Sequence, residues 1–405
     1  MSLSLSNKND MLKPSQECVK PVKALEVTKD ETVPLSVTLN DCLACSGCIT
    51  SAETVLVSNQ TFHELLKALD LKKCVYVSLS PQSVSSIAAK YNISFNLAYQ
   101  KLAFYFKSLG CEKVLSTNIA RDFSLIASAD EFIKRYTNEN LPMLTSSCPG
   151  WICYAEKTHS QILPLIDTTK SPQQIMGSFV KSNFGDVFHV TVMPCYDKKL
   201  EAARSDFRGD DVCDVDCVLA TVDLELMWNE RGENFEKFGI VETDVVFSHP
   251  GSSAGGFLEN TLRTVSERLF SLDSNLNTKV FKKNKDYVEY HLVKDDKTLL
   301  RFASAYGFRN IQNIVRKLKS GSLKLDFLEI MACPSACIGG GGQLRGNTLD
   351  ATKELMLKAT QVYNNIPKRE AYIHQEYRKW FNENAKLLHT EYHAAEQKFN
   401  FHTDW

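Results

Sequence analysis

The 405-residue sequence contains no stretch approaching 18 continuous apolar residues, which removes any obvious helical membrane span. Its opening segment, Met1 to Lys8, lacks a secretory apolar core. On these grounds the chain is expected to be soluble and intracellular, with no membrane partner. Excess charge of either sign is also missing. A formal net charge of -1 and a pI near 6.8 give no nucleic-acid footprint, so no nucleic-acid partner is expected. No internal repeat or low-complexity tract is present. What remains is an ordinary globular mixture, 43% apolar and 23% charged, in a chain two to three times the single-domain norm. Two lobes with smaller appendages are expected.

Cysteine is plentiful. Thirteen cysteines in a chain without export signals are better read as metal ligands and buried thiols than as a disulfide framework, and an odd total leaves at least one without an internal partner. Cys42, Cys45 and Cys48 form Cys-x2-Cys-x2-Cys with small residues between them. Such a loop can present three sulfurs to one iron–sulfur cube, with a remote cysteine at the fourth corner. Cys18, upstream and outside any strong strand or helix pattern, is the candidate. Zinc is the competing reading, although structural zinc normally uses two separated pairs; simple buried or redox thiols are the third.

From Val75 onward the pattern alternates between strand and helix. Val75 to Leu79 reads as a buried strand ending at Ser-Pro-Gln, followed by a long helical region broken near Asn92. Further strands are expected at 114–116, 141–145, 187–193, 217–221 and 327–331. A small-residue turn, 249–256, precedes a helix over 257–269. Residues 271–300, less regular and charged, suggest a surface hairpin. Asp350 is placed to cap a helix carrying Leu355, Ala359, Val362 and Ile366, and a second polar helix is expected from Arg369 to about Asn400.

Three motifs stand at strand ends, where α/β folds carry function. They are Thr-Ser-Ser-Cys-Pro-Gly-Trp at 145–151, Met-Pro-Cys-Tyr-Asp-Lys-Lys-Leu-Glu at 193–201, and a run from Phe327 to Gln343 containing Cys333, Cys337 and four successive glycines. Alone, the last could cradle a metal centre or be a tight turn beside two buried thiols. Together the three resemble the active-site signatures of the iron-only hydrogenase superfamily. With the upstream cysteine group, the chain is similar to the eukaryotic hydrogenase-like proteins of cytosolic iron–sulfur assembly, the Nar family.

That resemblance implies an α/β fold of two lobes around a buried cluster, with an N-terminal cluster-binding appendage and a helical C-terminal region. The implied divisions are 1–70 for the first cluster region, 71–345 for the core, 346–400 for the helical region and 401–405 for a targeting tail. It implies two [4Fe–4S] clusters, one on Cys18, Cys42, Cys45 and Cys48 and one on Cys148, Cys195, Cys333 and Cys337. In active hydrogenases the cysteine matching Cys337 also bridges to a two-iron subcluster, which the residues matching Met193 and Lys198 adjoin. Ser147 departs from the pattern: it stands where the enzymes have a proton-relaying thiol, and a hydroxyl is a poor relay near neutral pH. The segment 81–83 also lacks an arginine usual there. No catalytic residue is therefore expected, and the implied role is delivery of clusters to apo iron–sulfur clients. The competing class is a redox enzyme or hydrogenase using the outer cluster as an electron relay. A lysine paired with Glu201 or Asp197 at a loop surface is the plain alternative for Lys198.

The implied partners are the WD-repeat propeller subunit of the cytosolic iron–sulfur targeting complex and an adaptor to the early scaffold complex. Asp404 and Trp405, an apolar anchor beside a free carboxylate, are the residues expected to carry part of that contact; a terminus folded on its own surface is the alternative. Cys213 and Cys217 are read as buried or unpaired thiols, and Cys74, Cys111 and Cys153 as core thiols. His374, His389 and His393 are read as surface residues of the polar helix.

Overall fold

A computed structural model describes residues 51–207 and 212–395. Its first lobe is built on a four-stranded parallel sheet in the order β2-β1-β4-β5, with β1 Val75–Leu79, β2 Lys113–Ser116, β4 Phe188–Met193 and β5 Cys217–Ala220. Parallel strands covered on both faces read as continuous apolar runs, and all five residues of β1 are buried. Helices α1 Ser51–Asn59, α2 Phe62–Asp70, α3 Pro81–Lys90 and α4 Phe95–Ser108 belong to this lobe. Ser80 caps α3, its hydroxyl accepting from the Ser83 N–H at 3.2 Å, with Pro81 pre-set at the first helical position. Asn92, at φ 52°, breaks the helical run before Ser94 caps α4. Phe62, Leu65 and Ala68 of α2 share one core with β1, β4 and β5.

The second lobe holds a mixed sheet in the order β3-β9-β8-β7-β6, with β3 Met143–Thr145, β6 Thr278–Asn284, β7 Tyr287–Lys294, β8 Lys297–Tyr306 and β9 Phe327–Met331. β3, β9 and β8 are mutually parallel, while β7 and β6 continue antiparallel. The charged stretch expected as a surface hairpin is thus three strands, and the last of them runs into the sheet interior. Charges at Lys294 to Lys297 mark the turn, whereas Phe302, Ala303 and Ala305 are fully buried. Helices α5 Asn118–Thr137, α6 Pro149–Thr158, α7 Pro172–Phe184, α8 Asp197–Ala202, α9 Thr221–Glu230, α10 Phe257–Phe270 and α11 Phe308–Lys319 complete the core.

The C-terminal part departs from expectation in two places. α12 Leu349–Asn364 is capped by Thr348, whose hydroxyl accepts from the Ala351 N–H at 3.1 Å; Asp350 sits in the first turn, paired with Lys353. The expected long polar helix is confined to α13 Gln375–Glu383, followed by a short 3-10 turn at Ala385–Leu388. Tertiary docking prevails over helix propensity here. Arg369 makes a bidentate pair with buried Asp122, and the His393 and Ala395 N–H groups both donate to Glu156. None of His374, His389 and His393 lies inside the helix; His374 caps α13.

Candidate metal centre

Three strands point their carboxyl ends at one region. β3 and β9 run side by side in register, Met143 opposite Phe327 and Thr145 opposite Glu329, and so deliver Cys148 and Cys333 from neighbouring chains of one sheet. β4 of the other lobe ends at Met193 and delivers Cys195. The loop after β9 brings Cys337. Its glycines allow backbone to meet backbone: the Gly342 N–H donates to the Pro194 carbonyl at 2.9 Å. A side chain at Gly340 would place Cβ 2.3 Å from that carbonyl, and one at Gly342 would crowd Cys195 Cα at 3.1 Å. The same loop stores strain at Ser335 and Ala336, two consecutive non-glycine residues at φ 61° and 58°.

None of the four cysteines is in a disulfide. Burial pushes the Cys148 thiol up, and the Asp197 charge adds to it, while the Ala332 N–H, 3.4 Å from Sγ, opposes. Burial likewise lifts Cys195 well above the ordinary thiol range, and the charges of Asp197, Cys148 and Cys333 lift it further. Cys337 is pushed up to about 12 by burial and then by Cys148, with Lys198 and Arg121 opposing. The thiols therefore feel one another electrostatically. Among the described residues, no three histidine, cysteine or acidic side chains converge tightly enough for a single metal ion. Four cysteine sulfurs are the donor chemistry that an iron–sulfur centre takes.

The surroundings are polar and closely bonded. Ser147 is buried, with its hydroxyl 3.5 Å from the Ala254 carbonyl. Met193 is buried on the other side of the seam. Lys198 is buried, not at a loop surface, and its ammonium donates to Glu201 Oε2 at 2.8 Å. Glu201 also accepts from Ser171 and Gln173. Arg121, fully enclosed on α5, reaches Gln82 Oε1 and the Tyr363 hydroxyl, each at 3.3 Å. It brings a guanidinium to the 81–83 segment, which has no arginine of its own. Gln82 in turn donates to the Ser253 carbonyl at 2.8 Å, and the Gln343 side chain donates to the Gln82 carbonyl at 3.0 Å. Sequence reasoning gave no role to Arg121 and Gln173, which lie on helices, or to Gln343 in the glycine loop, since a lone polar residue carries no sign of which neighbour it will meet. Behind them, Tyr306 donates to Glu329 at 2.5 Å, and half-buried Glu259 has an enclosed carboxyl oxygen and feels the same carboxylate's charge.

Cys18, Cys42, Cys45, Cys48, Asp404 and Trp405 lie outside the described residues. Among the other cysteines, Cys111 and Cys217 are buried, the latter 3.6 Å from the Thr61 carbonyl. Cys153 and Cys213 are half-buried. Cys74 is exposed, correcting its expected place in the core; it lies just before β1, where its carbonyl accepts from the Phe188 N–H at 2.8 Å while its thiol stays outside.

Residues 73–341 match the family model described as iron only hydrogenase large subunit, C-terminal domain. The chain is 41% identical to the cytosolic Fe-S cluster assembly factor narfl of Xenopus tropicalis, over 98% of this chain and 96% of that protein. It is 40% identical to the cytosolic iron-sulfur assembly component 3 of Mus musculus, over 98% and 97%. These are names of assembly components and not of enzymes, in keeping with the non-catalytic expectation. Among solved structures, an apo [FeFe]-hydrogenase of Chlamydomonas reinhardtii superposes with a TM-score of 0.67 at 27% identity, covering 80% of this chain and 94% of that one.

Proposed function

Because the chain belongs to the family of cytosolic iron–sulfur assembly factors built on the iron-only hydrogenase fold, we propose that it carries two [4Fe–4S] clusters and helps deliver clusters to apo-proteins of the cytosol and nucleus. Cys148, Cys195, Cys333 and Cys337 hold the inner cluster in this reading, and Cys18, Cys42, Cys45 and Cys48 the outer one. A cubane of this kind supplies one-electron redox capacity and a rigid cross-link between the lobes. The chain's own residues do the rest: the Cys333–Cys337 loop closes the seam, and Lys198 sets a fixed positive charge near the thiols.

The observation that supports the reading is that four cysteines, none in a disulfide, sit on the loops after β3, β4 and β9, with a hydroxyl, Ser147, next to the first of them. Metal ligands are kept while the neighbouring acid–base group is replaced by one too weakly acidic to relay protons. This favours assembly over hydrogenase chemistry. Burial suppresses loss of the inner cluster, so any transfer takes place at the N-terminal one. The terminal Asp404 and Trp405 dock on the WD-repeat propeller subunit of the targeting complex, and an adaptor links the chain to the early scaffold.

In cells depleted of this chain, cytosolic iron–sulfur enzymes are expected to lose activity while mitochondrial ones keep it. Wild-type chain should restore them and Cys337→Ala should not. Infrared bands of iron-bound CO or CN in the purified protein, together with H2 turnover, would establish the enzyme reading instead.

A further inference from the structure

Among the described residues β2 pairs with β1 on one side and with no strand on the other, which leaves its outer edge open there. The same cleft that borders this edge is lined by the stretch 242–247, part of an extended segment that forms no strand. Among the described residues, no backbone hydrogen bond holds residues 239–246. Among the described residues its hydrogen bonds are at its ends, from the Lys101 ammonium to the Phe238 carbonyl at 2.7 Å and from the Asn118 side chain to the Phe247 carbonyl, and Val246 packs into the first-lobe core. Backbone groups in folded chains are nearly always paired, and an unpaired strand edge is a ready template for another chain.

The cleft encloses about 800 Å3. Val114, Leu115 and Ser116 of β2 line it together with Tyr99, Phe247 and Tyr372. Its extended wall is rich in β-branched residues and leaves Val245 and Phe247 exposed. The charge is one-sided. Arg369 in the wall is committed to Asp122. Among the described residues Glu242 and Asp244 have no ion-pair partner, and with Glu376 they outnumber the remaining lysine, Lys107.

We propose that this cleft binds an extended segment of a partner protein, basic and β-branched, which adds as a strand to the free edge of β2. Main-chain bonds to β2 supply the affinity, and lysine or arginine side chains set against Glu242 and Asp244 supply the selectivity. The site is separate from the cluster seam and does not depend on the reading given for it.

The test uses the full cluster-loaded chain and a short fluorescein-labelled peptide alternating lysine with valine. Its comparator carries glutamate in place of each lysine. Anisotropy should show saturable binding of the basic peptide and at least about tenfold weaker binding of the acidic one. The exposed double variant E242K/D244K, checked for folding by circular dichroism, should reverse that preference. Amide exchange should slow at Lys113–Ser116 on peptide binding. Equal binding of the two peptides, no binding of either, or protection confined to other strands would overturn the proposal. Self-association of the chain that the basic peptide displaces would assign the edge to a second copy and overturn it equally.

Discussion

Lys198 Nζ stands 2.8 Å from Glu201 Oε2 and 3.0 Å from Oε1, and both side chains are enclosed. An ion pair in such a place is costly to make and more costly to break, because removing one partner strands the other charge away from water. Lys198→Met should therefore lower unfolding free energy by about 3–5 kcal/mol. The double variant K198M/E201Q, which keeps an acceptor for Ser171 and Gln173, should recover most of that loss. Urea midpoints of wild type, Lys198→Met, Glu201→Gln and the double variant check it; a double variant no better than Lys198→Met would remove the ion pair from the account.

Glu259 is pushed up to about 8, first by burial and then by the Glu329 charge. A carboxyl whose folded pKa exceeds its unfolded value holds its proton in the folded state. Its contribution is full below the unfolded pKa and is lost as pH rises through the folded one. Urea stability should fall between pH 6 and about pH 8.5, and Glu259→Gln should flatten that slope. An unchanged slope in the variant would assign the fall to other groups.

His189 shows the opposite sign. Burial holds it down to about 3, neutral between the Ser78 hydroxyl at 2.8 Å and the Asp214 carbonyl at 3.3 Å. Because the unfolded imidazole binds a proton more readily, its stabilisation is present above the ordinary histidine range and is lost as pH falls from there toward 3. His189→Asn should reduce the acid sensitivity of the urea midpoint between pH 6 and about pH 4. An unaltered acid limb would place the titrating group elsewhere.

The loop between Cys333 and Cys337 should be improvable. Ala336 at φ 58° lies in the region where a Cβ costs about 1–2 kcal/mol. Ala336→Gly is expected to raise stability by about 1 kcal/mol after the added chain entropy of glycine is subtracted. Thermal unfolding of the apo-protein checks it, and a lowered midpoint would mean that the methyl group's buried contacts outweigh the strain.

Much of the fold was legible because buried parallel strands are written as short β-branched runs closed by Pro or Cys. β1, β4 and β9 have that form, and the chemistry of their ends was visible with them. The interior course of β8 was not. Its lysines and aspartates lie at a turn, and only pairing with β9 reveals that Phe302 and Ala305 sit in the middle of a sheet. The C-terminal helix was overestimated for a related reason. Local composition favours helix over residues 369–395, but Asp122 and Glu156 hold parts of it extended from more than 200 positions away. At the site, Cys148, Cys195, Cys333 and Cys337 were singled out through the resemblance that their three motifs carry together. Arg121 and Gln82 were not, because their side chains meet from elements 39 positions apart.

The central claim is that two separate sets of cysteines hold two clusters. Iron and sulfide analysis with anaerobic EPR, made on wild type, Cys45→Ala and Cys195→Ala, tests it most directly. Wild type should hold about eight irons, and each variant about four, with each losing a different cubane signal. Loss of the same signal from both variants, or stoichiometric zinc in place of iron, would contradict the account.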